Sequence, residues 1–121
     1  DQLERARDVC DIATVQNRYN VGNRDDETVL QACEAYDIGF IPWGPMYAVG
    51  EEGAASVLDH VADAHDATPR QVALAWLLHH SEVTLPIPGT SSLDHLESNV
   101  AASQLSLTGD ELARLNDIDP Q

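Results

Sequence analysis

Residues 38–43, Ile-Gly-Phe-Ile-Pro-Trp, are apolar on both faces of an extended strand. A strand exposed on one side alternates apolar and polar side chains, and this one does not. Continuous apolarity belongs to a parallel sheet covered by helices. The flanking segments agree. Residues 2–9 read as the end of a helix and 12–16 as a short apolar strand. Asp25 is placed to cap a helix over 26–36, with Val29, Leu30 and Cys33 at helical spacing. Gly44, Pro45, Gly50 and Gly53 mark 44–53 as a loop, and Val57, Leu58, Val61 and Ala62 give a helix over 54–65 one apolar face. Thr68-Pro69-Arg70-Gln71 opens another helix, with threonine as cap, proline in the first turn and glutamine three residues after the cap. A third strand is expected over Val83–Ile87, a helix from Leu93 to Ala102, and a last helix opened by Thr108-Gly109-Asp110-Glu111. Strands alternating with helices imply right-handed βαβ units and an α/β fold. No linker or short repeat divides the chain, so residues 1–121 are taken as one unit.

The third strand leads into Pro88-Gly89-Thr90-Ser91-Ser92 and then a helix start. A glycine in such a turn lets backbone approach another group closely. Hydroxyls and the unpaired N–H groups of a helix start suit an anion such as a phosphate. The same residues also fit an ordinary strand-to-helix turn in which Ser91 or Ser92 is the N-cap.

Charge narrows the partners. The chain carries 21 acidic and 6 basic residues, a formal net charge of -15, and every basic residue is arginine. The acidic residues are spread over the helices rather than gathered in a tail. Such a chain repels itself at low salt, whereas at molar salt the screening length falls to about 3 Å. A salt-rich cytoplasm is the expected setting. Nucleic acid and membrane are excluded as partners by the lack of a basic stripe and of any apolar run near roughly 18 residues. The opening Asp-Gln-Leu-Glu does not read as a signal sequence. Cys10 and Cys33 are expected on helices as buried free thiols, without metal-ligand spacing. His60, His65, His79 and His80 are expected on helix surfaces or between helices, and Asp59 with Asp63 on a solvated face. No metal site is expected.

Several motifs in order resemble the aldo-keto reductases. Residues 14–20, Thr-Val-Gln-Asn-Arg-Tyr-Asn, are similar to that family's VQNxYN strand. Residues 38–46 resemble its next strand and loop, and 68–99 its helix, IPGtss turn and following helix. The resemblance implies a partial (β/α)8 barrel: the last three β/α units with parallel strands, plus the closing C-terminal helix. A complete barrel needs about 250 residues. The family's catalytic Asp, Tyr, Lys and His lie on earlier strands. This chain has no lysine at all, and Tyr19, Tyr36 and Tyr47 do not stand in the place of the family's tyrosine, so no catalytic residue is assigned.

What the resemblance carries over is the binding of NADP or NAD. It implies that Gln16 holds the nicotinamide carboxamide, to which a side-chain amide offers both donor and acceptor. It implies that Trp43 stacks on the nicotinamide ring. It implies that Gly44, Pro45 and Met46 pass under the pyrophosphate, that Gly89, Thr90, Ser91 and Ser92 surround the adenosine phosphate, and that Asn99 lies near the adenine. Members preferring NADPH often have lysine and arginine at the positions of Gly89 and His95. With no lysine or arginine between Arg70 and Arg114, a 2'-phosphate would meet only hydroxyls, helix N–H groups and His95, so weak discrimination between the cofactors is expected. Two functions follow. The chain is the carboxyl-terminal part of a carbonyl reductase that works with the missing amino-terminal part of the barrel, reducing a small-molecule carbonyl by hydride transfer. Alternatively it is a non-catalytic half-barrel that self-associates and at most binds nucleotide.

Overall fold

In the computed structural model, which describes residues 2–120, the elements are α1 (Gln2–Arg7), β1 (Thr14–Arg18), α2 (Glu27–Tyr36), β2 (Gly39–Trp43), α3 (Glu52–Ala64), α4 (Pro69–His80), α5 (Leu93–Ala101) and α6 (Gly109–Asn116). Two 3₁₀ turns, Tyr47–Gly50 and Ala102–Gln104, follow β2 and α5. β1 and β2 are parallel, with Thr14 opposite Gly39, Gln16 opposite Ile41 and Arg18 opposite Trp43.

The expected third strand over Val83–Ile87 does not form as a strand. It is reduced to one parallel bridge between Phe40 and Thr84, held by Phe40 N–H to the Val83 carbonyl at 2.8 Å and Leu85 N–H to the Phe40 carbonyl at 2.8 Å. The cause lies in β2. Its N–H groups alternate sides: Gly39 donates to Ala13 and Phe40 to Val83. The next donor toward this side would be residue 42, which is proline and has no N–H. The direction of the segment survives. Three parallel runs lie side by side with β2 in the middle, and Trp43 and residues 86–89 follow at the same end.

The core forms where β1, β2 and the helices meet. Tyr19, Phe40 and Trp76 are fully buried, with Leu58, Val61, Val72 and Leu115 around them. α4 is apolar nearly all round and buries Val72 to Leu77, as a helix inside a packed layer must. Trp76 stacks on Tyr19 at 6.0 Å and on His80 at 4.5 Å between ring centroids, and its indole N–H donates to Asn116 Oδ1 at 2.9 Å. Arg24 donates from Nη1 to the Asn116 carbonyl at 2.8 Å and from Nη2 to that of Ile118, which ties the end of α6 down.

The caps show how local chemistry sets helix starts. Thr68 with Gln71 and Thr108 with Glu111 form complete capping boxes. Ser92 caps α5, accepting from His95 N–H at 3.3 Å. α2 departs from expectation: its N-cap position is Asp26, without a side-chain bond, because the Asp25 carboxylate instead accepts from Asn23 Nδ2 at 3.3 Å. Cys33 is a buried free thiol, but Cys10 is exposed, because α1 ends at Arg7 and residue 10 stands beyond it.

His65 and Glu111 join the end of α3 to α6 at 2.8 Å. That bond, with one from the Thr108 backbone, holds the Glu111 carboxyl below its ordinary value of 4.5. A carboxyl lowered by folding stabilises the fold above its unfolded value, and the contribution is lost as pH falls through the lowered value. Glu111→Gln is therefore expected to cost about 0.2–1 kcal/mol at pH 6, in the range of surface ion pairs. The gap should close as pH drops below 4.5. Urea denaturation of both proteins across that range measures it, and a gap that widened with acid would contradict the assignment.

Candidate cofactor site

The loop after β2 is shaped by a glycine. Gly44 has φ +65°, and a Cβ there would stand 2.9 Å from the Tyr47 ring. The conformation is open to glycine and costly for other residues. Its carbonyl accepts from Asn20 Nδ2 at 2.9 Å, while Asn20 Oδ1 accepts from Gly22 N–H at 2.9 Å. Asn20 is fully buried. The Tyr-Asn pair that ends the first strand motif thus fixes where residues 44–46 run.

Two adjoining clefts open at this end of the strands. One, of about 300 Å³, is lined by Met46, Gly89, Thr90, His95 and Asn99 among others. The second, of about 570 Å³, is lined by Gly44, Pro45, Met46, Ile87, Pro88 and Gly89 among others. Met46, Val49, Arg70 and Gly89 are common to both. Seven of the eleven residues expected to hold cofactor therefore face one continuous concavity. A larger groove, of about 610 Å³, lies between α3 and the end of α6, with His60 and Arg114 in its lining, and contains none of them.

The other four are placed differently. Gln16 is exposed on β1, opposite Ile41, and lines neither cleft. Trp43 closes β2, is 39% exposed and meets Tyr47 edge-on at 6.3 Å, with the Arg18 guanidinium 6.0 Å from its ring. Ser91 is exposed outside both linings. Ser92 holds the turn from beneath, capping α5 and donating its N–H to Thr90 Oγ1 at 3.1 Å. At Gly89 a Cβ would meet no atom of the chain within 4 Å. The expected close approach does not occur within the chain, because this turn lies on the surface.

Sequence reasoning missed Arg70. The expectation that a phosphate at the 89–92 turn would find no arginine is corrected, since Arg70 lines both clefts beside Gly89. The capping box located the helix start but not what it faces. The missing information is tertiary: Gln71 Nε2 donates to the Ser98 carbonyl at 3.0 Å, drawing the start of α4 against α5. The guanidinium, the Thr90 hydroxyl and the Asn99 amide form a donor set that fits a phosphorylated nucleotide, and Met46 and Val49 add an apolar wall.

Tyr19 is no proton donor to this concavity. Its hydroxyl is bonded to Glu27 and lies 2.9 Å from His80 Nε2, and burial together with Glu27 pushes its ionisation above the ordinary range. Among the described residues no His, Cys, Asp and Glu grouping could hold a metal ion, and no helix is long and apolar enough to cross a membrane.

Comparison with known proteins gives this arrangement its context. Over 117 residues the chain is 40% identical to an uncharacterised oxidoreductase of Schizosaccharomyces pombe, covering 97% of this chain and 38% of that protein. It is 41% identical over 117 residues to pyridoxine 4-dehydrogenase of Escherichia coli, covering 97% and 41%. Among solved structures it superposes on the thermostable aldo-keto reductase Tm1743 in complex with epalrestat, with a TM-score of 0.89 and 28% identity, over 96% of this chain and 44% of that one. An aldo-keto reductase from Klebsiella pneumoniae in complex with NADPH gives a TM-score of 0.79 and 28% identity, over 90% and 40%. The chain thus spans about two fifths of the length of the relatives it matches, and its α/β fold fits part of their barrel. The family model described as Aldo/keto reductase matches residues 1–50 and 48–120, nearly the whole sequence, and the chain belongs to that family.

Proposed function

We propose that these 121 residues are the carboxyl-terminal, cofactor-holding part of an NAD(P)H-dependent aldo-keto reductase, one incomplete barrel domain that acts on a small carbonyl compound. The observation that carries this reading is the continuous concavity at the strand ends, which joins residues 44–46 to Gly89, Thr90, His95 and Asn99. A reduced nicotinamide supplies the hydride that converts the carbonyl to an alcohol. Gln16 binds the carboxamide of that ring and Trp43 covers one of its faces. Gly44, Pro45 and Met46 run beneath the pyrophosphate. Gly89, Thr90 and Ser91 border the adenosine phosphate, Ser92 holds the turn rigid, and His95 and Asn99 border the adenine. The proton donor comes from strands that precede this segment in the barrel. A salt-rich cytoplasm is part of the proposal, supported by the charge of -15.

The test mixes the purified chain with the separately purified amino-terminal strands of the barrel and follows NADPH oxidation with an aldehyde, in roughly 0.1 M and in roughly 1 M KCl, where screening lengths differ about threefold. Turnover is expected only on mixing, and better at high salt. Turnover by the chain alone would overturn the absence of catalytic residues.

A specific observation favours the second reading, a self-associating half-barrel. Leu85 is 53% and Ile87 47% exposed along one edge of the parallel runs. Such edges pair readily. A stable dimer by light scattering that neither binds the amino-terminal strands nor gains activity from them would favour this reading.

A further inference from the structure

We propose that Arg70 selects between the two nicotinamide dinucleotides: its guanidinium takes the 2'-phosphate of NADPH, so the protein prefers NADPH to NADH. This inference rests on the cofactor reading above.

Three observations carry it. First, Arg70 is the one lysine or arginine lining either cleft, and it lines both. The acidic chain has six arginines and no lysine, so a cation at this place stands out against its surroundings. Second, the Arg70 side chain is exposed and makes no hydrogen bond or ion pair with any described residue. Its five donors remain available, in a planar fork that matches phosphate oxygens. Third, its backbone is fixed. Pro69 precedes it, the Thr68–Gln71 capping box encloses it, and Gln71 Nε2 is anchored to the Ser98 carbonyl at 3.0 Å. The guanidinium therefore reaches from a rigid base, with Gly89, Thr90 and Asn99 facing the same cleft. A phosphate monoester is close to dianionic near neutral pH, and charge-assisted bonds to it are the strong ones. Gly89 offers no side chain, and no lysine or arginine stands between Arg70 and Arg114 in the sequence. A guanidinium from α4 supplies what the turn itself lacks.

The test uses the chain assembled with the strands that complete its barrel. Calorimetry measures the affinity for 2',5'-ADP and for 5'-ADP, with NADPH and NADH compared by the quenching of tryptophan fluorescence. Wild-type protein is expected to prefer 2',5'-ADP. Arg70→Ala should weaken 2',5'-ADP by about 10–100-fold, the range for a hydrogen bond to a charged group, and leave 5'-ADP within about twofold. Arg70→Lys should recover part of the preference, since it keeps the charge but loses the fork. Melting curves of the variants check that the fold is retained. Equal weakening of both nucleotides by Arg70→Ala, or no change in either, overturns the role of Arg70 while leaving the cofactor reading intact. Wild-type protein that binds none of the four nucleotides overturns both.

Discussion

Replacing Trp76 with alanine is expected to cost about 3–5 kcal/mol of stability, the range for emptying a large buried aromatic site. The ring is fully buried at the centre of α4. It stacks on both Tyr19 and His80, which also touch each other, and its N–H is engaged by Asn116. Alanine removes all of these contacts at once, and the stiff neighbours, the β1 end carrying Tyr19 and the α6 end carrying Asn116, cannot collapse into the space. Small domains are stable by only about 5–15 kcal/mol in all, so most of that margin goes. Trp76→Phe separates the terms: it keeps an aromatic ring against Tyr19 and His80 and loses mainly the bond to Asn116, worth about 0.5–1.5 kcal/mol. Urea denaturation followed by circular dichroism measures both. Trp43, exposed at the end of β2, remains as a fluorescent reporter. A cost below about 1 kcal/mol for Trp76→Ala would be that of a surface substitution, and the packing of α4 against β1 would then be wrong.

The parts of the fold legible in the sequence are those set within a few residues. Thr68, Ser92 and Thr108 each carry their cap partner three positions on, so the helix starts were readable before any packing was known. The start of α2 was less so, because two adjacent aspartates compete and a neighbouring asparagine captures Asp25. The third strand was over-read for a similar reason. Its apolar pattern is sound, but its pairing depends on a donor from residue 42, some forty positions earlier, which proline does not have. The site divides in the same way. Residues 89–99 sit on one turn and one helix, and their chemistry shows locally. Arg70 reaches them only through the packing of α4 on α5. The need for glycine at position 44 was likewise hidden, because the left-handed backbone there follows from the placement of Tyr47 and the grip of Asn20.

That grip sets the second large effect. Asn20→Ala is expected to destabilise the chain by about 2–6 kcal/mol, because it leaves two buried backbone groups without partners at about 1–3 kcal/mol each. The groups are the Gly44 carbonyl and the Gly22 N–H, each bonded to the Asn20 amide at 2.9 Å. Asn20 also exchanges backbone bonds with Asn23 at 3.0 Å in both directions, so the turn itself should persist. What fails is the link from that turn to the loop after β2. Asn20→Asp distinguishes the two bonds: the carboxylate still accepts from Gly22 but cannot donate to Gly44, and it buries a charge beside that carbonyl. It should therefore be at least as damaging as alanine at neutral pH and recover partly in mild acid, as the carboxyl protonates and regains a donor. Because Gly44 and Met46 line the clefts, both variants should also weaken nucleotide binding under conditions where they remain folded. Denaturation midpoints, paired with calorimetric titration of 2',5'-ADP into the assembled barrel, check both consequences. Wild-type stability in Asn20→Ala would mean that the buried amide does not hold the loop, and the left-handed turn at Gly44 would need another cause.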